Sequence, residues 1–368
     1  MLATHDLNFG NAQTCLDLQA IADFYDPNIP GNPNADANLN STYACGQFFA
    51  DSPYTLPAGS IPAGFTLHLP YGSVPSVGSG NPDVTLVGLR RYSSPSCEPT
   101  TGAGCPPDGI PVFSSVFAQD TVANSNYNSL QTSLEKRFGE GLQLQLAYTF
   151  SKSIDNASSF ENILDPLDFR HSRSLSLFDS RHRFVLSYYW ELPLPKKEGF
   201  AGKLLNGWAL SGITTFQSGF PIRILSSDDN ELMNSFDFEL PGRPDLVGKF
   251  TTRDPHSSGC ALGSSPCEPV PNQYFDPNAF APQALGTLGT APRTLCCGPG
   301  INNFDISLLK TTQLNERMRM EFRAEFFNIA NHSQFFQPDG NISDGSDFGR
   351  ISRAKEPRLI EFAAKLFF

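Results

Sequence analysis

The chain has 368 residues, of which 37 are acidic and 26 are lysine or arginine, giving a formal net charge of -11. This acidic balance, without a dense basic stripe, argues against nucleic acid as a partner. The longest nearly apolar run, FVLSYYW at 184–190, is far shorter than the roughly 18 residues of a membrane-spanning helix, although a barrel strand needs only about 9 to 11. The 31 Phe, 30 Gly and 30 Pro favour strands separated by many turns.

Residues 1–83 are predicted to be a loop-rich segment with one or more upstream barrel strands. The residues after Met1, LATHDLNFGNAQT, have neither the basic start nor the apolar core of a signal peptide. Two close cysteine pairs each bracket a Gly-, Pro- or Ser-rich loop, as local disulfides do in an oxidising compartment. We therefore expect an exported protein whose leader is absent from this chain, with disulfides Cys97–Cys105 and Cys260–Cys267.

A zinc site is the alternative interpretation of the cysteines. No CxxC occurs and only six histidines are scattered along the chain, so we predict no metal site. The partners of four further cysteines stay open from sequence: Cys15, Cys45, Cys296 and Cys297.

Seven segments alternate apolar and polar residues with the period of two that is typical of strands. The first two are joined by only GEG, which predicts a tight hairpin. In chain order the segments are 130–138, 142–151, 184–192, 208–217, 304–310, 318–326 and 358–368.

The segment 318–326 has one apolar face and one fully charged face. In a soluble sheet the charges would meet water, whereas in a membrane barrel the apolar face meets lipid and the charges line the interior. An amphipathic helix is also possible, because Met318, Phe322, Phe326 and Ile329 fit helical spacing. A strand is favoured because it also places Met320 and Ala324 on the apolar face.

The charged face of this segment has two interpretations, a ladder of cross-strand ion pairs or a substrate site in the lumen. Alternation of Arg with Glu favours the ladder, since opposite charges on neighbouring strands pair well. Its predicted lumen-facing members are Arg319, Glu321, Arg323 and Glu325.

The connections between the predicted strands alternate between short and long. Those at 139–141, 193–207 and 314–317 are the shorter ones, and they alternate with 155–181, 218–302 and 331–357. Tight turns at one end and extended loops at the other are typical of an outer-membrane barrel, and loops this long are uncommon in compact soluble domains. The fold prediction is therefore an all-β, antiparallel transmembrane barrel, of which this chain is a part. Substrate binding is expected in the three long outer loops, at residues that the sequence does not identify.

Lipid contact is predicted for the apolar positions of the last two strands. Outer-membrane lipid is therefore an expected partner, and the bacterial outer membrane the expected location. The predicted lipid-facing residues are Phe322, Phe326, Phe362, Leu366 and Phe368.

Several motifs occur in an order that resembles a known family. They include NSNYNSLQTSLEKRFGEGLQLQLAYTFSKSID, FDSRHRFVLSYYWELP, FQSGFPIRI, GRPDLVG, YFDPNAFA, FRAEFFNIANHSQF and FGRISRAKEPRLIEFAAKLFF. Together they resemble the C-terminal part of the barrel in TonB-dependent receptor-like proteins with an Oar-like β-barrel, over residues 84–368. This chain has LCCGPG at 295–300, where relatives typically read LRGPG.

The resemblance implies a transport function. In that family a carboxypeptidase-regulatory-like domain and a plug precede the barrel, and energy reaches the plug from an inner-membrane TonB complex. It implies that outer loops capture substrate and that plug rearrangement opens a lumenal path. The plug, further barrel strands and, through the plug, the TonB complex would be partners outside this chain.

No motif for catalysis or a cofactor is found: HExxH, GxSxG and GxGxxG after a strand do not occur. We predict that the protein is not an enzyme and needs no cofactor. His171, Asp179, Ser180 and His182 lie close together, and a loop-ordering role is favoured over a hydrolytic triad. SSDDNE at 226–231 is interpreted as a solvated acidic loop rather than a calcium site. The alternative function is a secreted or surface-exposed β-sandwich adhesion or binding module without transport activity.

Overall fold

A computed structural model of the chain describes residues 3–6, 12–43, 54–56, 59, 61–69, 72–75, 84–86, 117–139, 141–158, 168–228, 230 and 242–368. The helices in these residues are α1 (Ala12–Phe24), α2 (Ala37–Tyr43) and α3 (Gly199–Leu205), with short 3-10 helices at Phe169–Ser172, Pro277–Ala279 and Ile342–Asp347. The strands are β1 (Ala3–Asp6), β2 (Tyr54–Leu56), β3 (Thr66–Leu69), β4 (Gly72–Pro75), β5 (Val84–Leu86), β6 (Phe117–Asp120), β7 (Ser125–Arg137), β8 (Leu142–Asp155), β9 (Ser174–Leu175), β10 (His182–Glu191), β11 (Trp208–Gln217), β12 (Ile222–Arg223), β13 (Asp245–Leu246), β14 (Gly259–Cys260), β15 (Pro269–Val270), β16 (Phe280–Ala281), β17 (Thr294–Leu295), β18 (Ile301–Gln313), β19 (Arg319–Phe327) and β20 (Leu359–Phe367).

Seven long strands form one antiparallel sheet in the order β20-β19-β18-β11-β10-β8-β7, and β9 adds to the end of β8. Every predicted alternating segment coincides with one of these strands to within one residue at each end that extends beyond it, so the strand predictions are confirmed. Segment 318–326 falls largely within β19, and the helical alternative there is wrong. Within the described residues β7 and β20 each pair on one side only, so the sheet is an open wall rather than a closed barrel.

The register places apolar residues of neighbouring strands on one face. Leu146 of β8, for example, is opposite Leu134 of β7 and Leu186 of β10. We call this the outer face, and several of its apolar side chains are exposed: Phe362 is 68% exposed and Leu130 is 62% exposed. Its members include Leu130, Leu134, Leu144, Leu146, Phe184, Leu186, Trp190, Trp208, Leu210, Phe216, Phe304, Ile306, Leu308, Lys310, Thr312, Met320, Phe322, Phe326, Ile360, Phe362 and Leu366.

The opposite face, which we call the lumenal face, is polar. Gln145 of β8 and Ser187 of β10 are opposite each other there, as are Ser211 of β11 and Ser307 of β18. The other described sheets have only two strands each, so no second large sheet covers the outer face. This arrangement does not match the sandwich alternative, in which two sheets bury their apolar faces against each other.

The connections alternate as predicted. Residues 138–141, 192–207 and 314–318 join strands at one end of the sheet, the short end, and 156–181, 218–300 and 328–358 join them at the other, the loop end. The predicted loops differ from these by at most three residues at either boundary. No helix in the described part of the chain is long and apolar enough to cross a membrane.

The N-terminal part has a small core of its own. Leu18 and Ile21 of α1 pack with Tyr43 of α2 and with Leu56 and Leu67, all at most 1% exposed. The strands in the described part of 1–83 have at most four residues each, and the upstream barrel strand stays a prediction. In addition, β2 pairs with β5, which joins residues on both sides of the predicted boundary at 83/84.

Candidate functional site

The three predicted outer loops meet at the loop end of the sheet. Residues from 218–300 and 328–358 share one apolar core, in which Phe275 and Phe348 are fully buried with ring centroids 5.2 Å apart. We call this unit the loop cluster. Its buried members are Ile222, Ile224, Tyr274, Phe275, Ala279, Phe280, Ala291, Ile342, Phe348 and Ile351.

Backbone hydrogen bonds join the two loops beside this core. The N–H of Ile342 donates to Leu225 at 3.0 Å, and the N–H of Tyr274 donates to Gly349 at 2.8 Å. Gly349 has a φ of +83°, and a Cβ there would lie 3.0 Å from the Phe275 carbonyl oxygen, so both conformation and space favour glycine. The loop cluster is therefore an ordered substructure, in which each of the two segments holds the other in place.

A buried ion pair connects the loop cluster to the wall. Asp155 ends β8 with a fully buried side chain, and its Oδ1 accepts a hydrogen bond from Nη2 of Arg293, whose side chain is 7% exposed. The Arg293 guanidinium also donates to the Ser172 carbonyl oxygen at 3.0 Å and to the Ser158 hydroxyl at 3.2 Å. Arg293 thus ties 218–300 to 156–181 and to the end of a long strand.

Sequence analysis did not identify Arg293. The available signal was its setting, TAPRTL, where a lone arginine lies among apolar and small residues. Arginine is rarely buried without a partner, so such a position points to a buried ion pair. Arg243 in GRPDLVG is also buried, at 5% exposure, and its Nη2 donates to the His171 carbonyl oxygen at 2.8 Å.

Asp179 organises the start of β10. It is 3% exposed, and its Oδ1 accepts a hydrogen bond from the backbone N–H of Ser153 at 2.6 Å. Ser180 donates from its hydroxyl to the Ser218 carbonyl oxygen at 3.3 Å, while Nδ1 of His182 lies 2.9 Å from the hydroxyl oxygen of Tyr148. These partners match the loop-ordering interpretation, since each side chain binds a group outside the suggested triad.

The pKa values of two loop carboxyl groups are shifted in opposite directions. At the surface, the side chain of Arg170 and then its backbone N–H lower the pKa of Asp168 to about 2. Burial raises the pKa of Asp339, and the negative charges of Asp344 and Asp347 raise it further. Ionising Asp339 therefore works against the folded loop, whereas ionising Asp168 favours it.

The charged residues of β19 lie on the lumenal face. The Arg323 guanidinium contacts Glu321 at 2.9 Å and Glu325 at 3.8 Å, so these ion pairs run along one strand. The register agrees with cross-strand pairing at one position and not at another: it places Glu321 opposite Lys365, but Glu325 opposite Glu361. Arg319 is opposite Phe367, with its guanidinium 4.5 Å from the ring centroid.

A recess of about 340 Å³ opens on the lumenal face near the short end, between β7, β8 and β10. Arg137 contacts Glu135 there at 3.1 Å, again along a single strand. Carboxylate, guanidinium, amide and hydroxyl groups all line this recess, which suits polar rather than apolar solutes. Its lumenal-face members are Glu135, Arg137, Gln143, Gln145, Ser187 and Tyr189.

The described cysteines are all disulfide-bonded. Cys260 is joined to Cys267, with Cα atoms 5.0 Å apart, and this bond closes the β14–β15 turn. Cys296 is joined to its neighbour Cys297. The predicted partners Cys97 and Cys105 lie outside the described residues.

The remaining sequence predictions concern lipid and metal. Of the predicted lipid-facing residues, Phe322, Phe326, Phe362 and Leu366 lie on the outer face, and Phe368 follows β20 with 96% exposure. Among the residues that the structure describes, no group of three or more His, Cys, Asp or Glu is placed to hold a metal ion.

A comparison with protein-family models finds a match over most of the chain. A model described as "Outer membrane beta barrel domain" matches residues 72–361. A search of curated proteins finds no match.

Proposed function

The chain belongs to the outer membrane beta barrel domain family, whose model matches most of its residues, and from this premise we propose that it is the C-terminal barrel portion of a TonB-dependent receptor or transporter. Membership in the family supports an outer-membrane location for the antiparallel sheet. TonB-dependent uptake is the finer step, and it rests on the motifs in 84–368 that resemble Oar-like barrels.

The observation that carries this proposal is the junction of the two-faced wall with the loop cluster. The wall separates an apolar outer face from a polar lumenal face, as a strand requires when lipid lies on one side and water on the other. At its loop end, Arg293 and Asp155 fasten the loop cluster to β8. In this proposal the loop cluster captures the substrate, and its attachment to β8 keeps it at the entrance of the lumen.

We propose that polar solutes pass along the lumen. Hydroxyl and amide groups of the lumenal face, such as those of Ser187 and Gln145, exchange hydrogen bonds with a polar solute as water does. In this proposal a plug outside the chain blocks the lumen, and the TonB complex supplies the energy that displaces it.

Ion conductance tests the proposal without knowledge of the substrate. The full-length protein is inserted into planar bilayers in KCl, alongside a variant that lacks the plug. A plugged receptor gives no steady open channel when intact and a large conductance after plug removal. A large, steady conductance of the intact protein would instead indicate an open porin and contradict the proposal.

A further inference from the structure

The connection 192–207 at the short end combines exposed apolar residues with basic ones. Within 193–207 there are three lysines and one glutamate, in a chain whose net charge is -11. Phe200 and Leu204 of α3 are 84% and 60% exposed, and they lie four residues apart, on the same side of the helix. Lys196 and Lys197 just before the helix are also exposed.

This connection rests on the outer face of the wall and not in the lumen. The Thr312 hydroxyl donates to the Lys203 carbonyl oxygen at 3.1 Å, and Lys310 donates from Nζ to the Asn206 carbonyl oxygen. Both donors come from outer-face positions of β18. Trp208, also on the outer face, donates from Nε1 to the Leu204 carbonyl oxygen at 3.0 Å.

The segment has a fixed shape. The Asn206 side chain accepts from the Lys197 N–H at 3.1 Å and donates to the Lys197 carbonyl oxygen at 2.9 Å, which closes the connection around α3. Gly202 is buried against the same carbonyl group, where a Cβ would clash. Phe200 and Leu204 are therefore exposed on an ordered segment.

We propose that α3 is an interfacial anchor that binds the phospholipid leaflet at the short end of the barrel. Phe200 and Leu204 insert at the boundary between acyl chains and headgroups, while Lys196 and Lys197 bind the phosphates of anionic lipids. Two observations select lipid as the occupant. The apolar side chains continue the outer face, and the basic residues complement anionic headgroups.

This inference rests on the outer-membrane location and not on TonB-dependent transport. An open-porin result in the conductance experiment would leave it intact. Equally, failure of the lipid test below would leave the transport proposal standing.

Photocrosslinking in the full-length protein tests the inference directly. Phe200 is replaced by the photoreactive amino acid p-benzoylphenylalanine, and the protein is expressed in the outer membrane of a Gram-negative host that contains phosphatidylethanolamine and phosphatidylglycerol. Mass spectrometry then identifies the adducts. We expect lipid adducts in which phosphatidylglycerol is enriched several-fold over its share of the membrane, up to roughly 25-fold if each of the two lysines contributes about fivefold.

Two pairs of variants separate specific binding from general charge. Lys196→Gln with Lys197→Gln should return the phosphatidylglycerol share to that of the membrane. Lys249→Gln with Lys355→Gln removes the same charge at the loop end and should leave the enrichment unchanged. Heat-modifiable gel mobility verifies that every variant folds.

Crosslinker position supplies the remaining controls. At Phe362 on the outer face it should give lipid adducts without anionic preference, and at Gln145 on the lumenal face it should give none. Adducts from Phe200 to protein only, an absence of adducts in folded protein, or enrichment that survives the Lys196 and Lys197 changes would overturn the proposal.

Discussion

Replacement of Arg293 by methionine should open the junction between the loop cluster and the wall. The change leaves the Asp155 carboxylate fully buried without its ionic partner, and it removes donors from the Ser172 carbonyl oxygen and the Ser158 hydroxyl. Loss of one partner from a buried ion pair typically costs about 3–5 kcal/mol. That cost corresponds to a roughly 150-fold to 4,000-fold increase in the equilibrium constant for opening.

Hydrogen exchange measured by mass spectrometry reports this opening. The full-length protein folded in detergent is compared with the Arg293→Met variant, and the readout is protection of peptides from 220–226 and 290–296. The first contains Ile224, whose N–H donates to the Arg293 carbonyl oxygen at 3.0 Å, and the second contains Arg293 itself. Amides in the interior of the long strands serve as the internal standard.

Two further variants make the test specific. Arg293→Met combined with Asp155→Leu removes both charges, and it should recover much of the protection because no unpaired charge stays buried. Arg170→Met breaks the ion pair with Asp168, in which the arginine side chain is 88% exposed, and should leave protection unchanged. Unchanged protection in Arg293→Met, or a double variant that is as open as the single one, would refute the reasoning.

Three other predictions follow from the wall and the loops. Phe362→Arg should destabilise the folded barrel by about 2–4 kcal/mol in denaturant titrations in vesicles if the site lies near the bilayer midplane, whereas Gln145→Arg on the lumenal face, opposite Glu135, should have little effect. Because its pKa is raised, Asp339 contributes most to loop stability below its ordinary value of 3.8, and this contribution is lost as pH rises through the raised value. Asp339→Asn should therefore slow proteolysis of the loop at pH 7, relative to the unaltered protein, with a smaller difference at acid pH. Equal cleavage rates of the variant and the unaltered protein at pH 7 would contradict this. Replacing both Cys260 and Cys267 by serine should destabilise the local loop by about 2.5 kcal/mol, on the relation between loop length and chain entropy. A non-reduced digest of the unaltered protein that lacks the linked peptide would contradict that bond.

The strands were predictable because the two faces of the wall meet different surroundings. Residues of β19 such as Phe322 and Arg323 alternate so sharply that their period of two is visible in a single segment. Connection lengths then indicated a barrel, because tight turns and long loops alternate between the two ends of the sheet.

The loop cluster was not predictable in the same way. Phe275 and Phe348 come from irregular segments without a repeating period, and their contact joins positions far apart in the chain. The pairing of charges also depended on register. Sequence placed Arg323 and Glu325 on one face, but only the alignment with β20 shows that Glu325 is opposite Glu361.

The core shared by the long loops has a consequence for recognition. A flexible loop loses conformational entropy when it closes on a ligand, and that loss weakens binding. Here Phe348 and Tyr274 already hold their segments in place, so the capture step of the proposed function would use a preorganised surface at the loop end. Exposed positions on the same loops, such as Val247 at 64% exposure, have no part in that core. Substitutions at these exposed positions can therefore change the surface of the loops without disturbing the core that keeps the loops rigid.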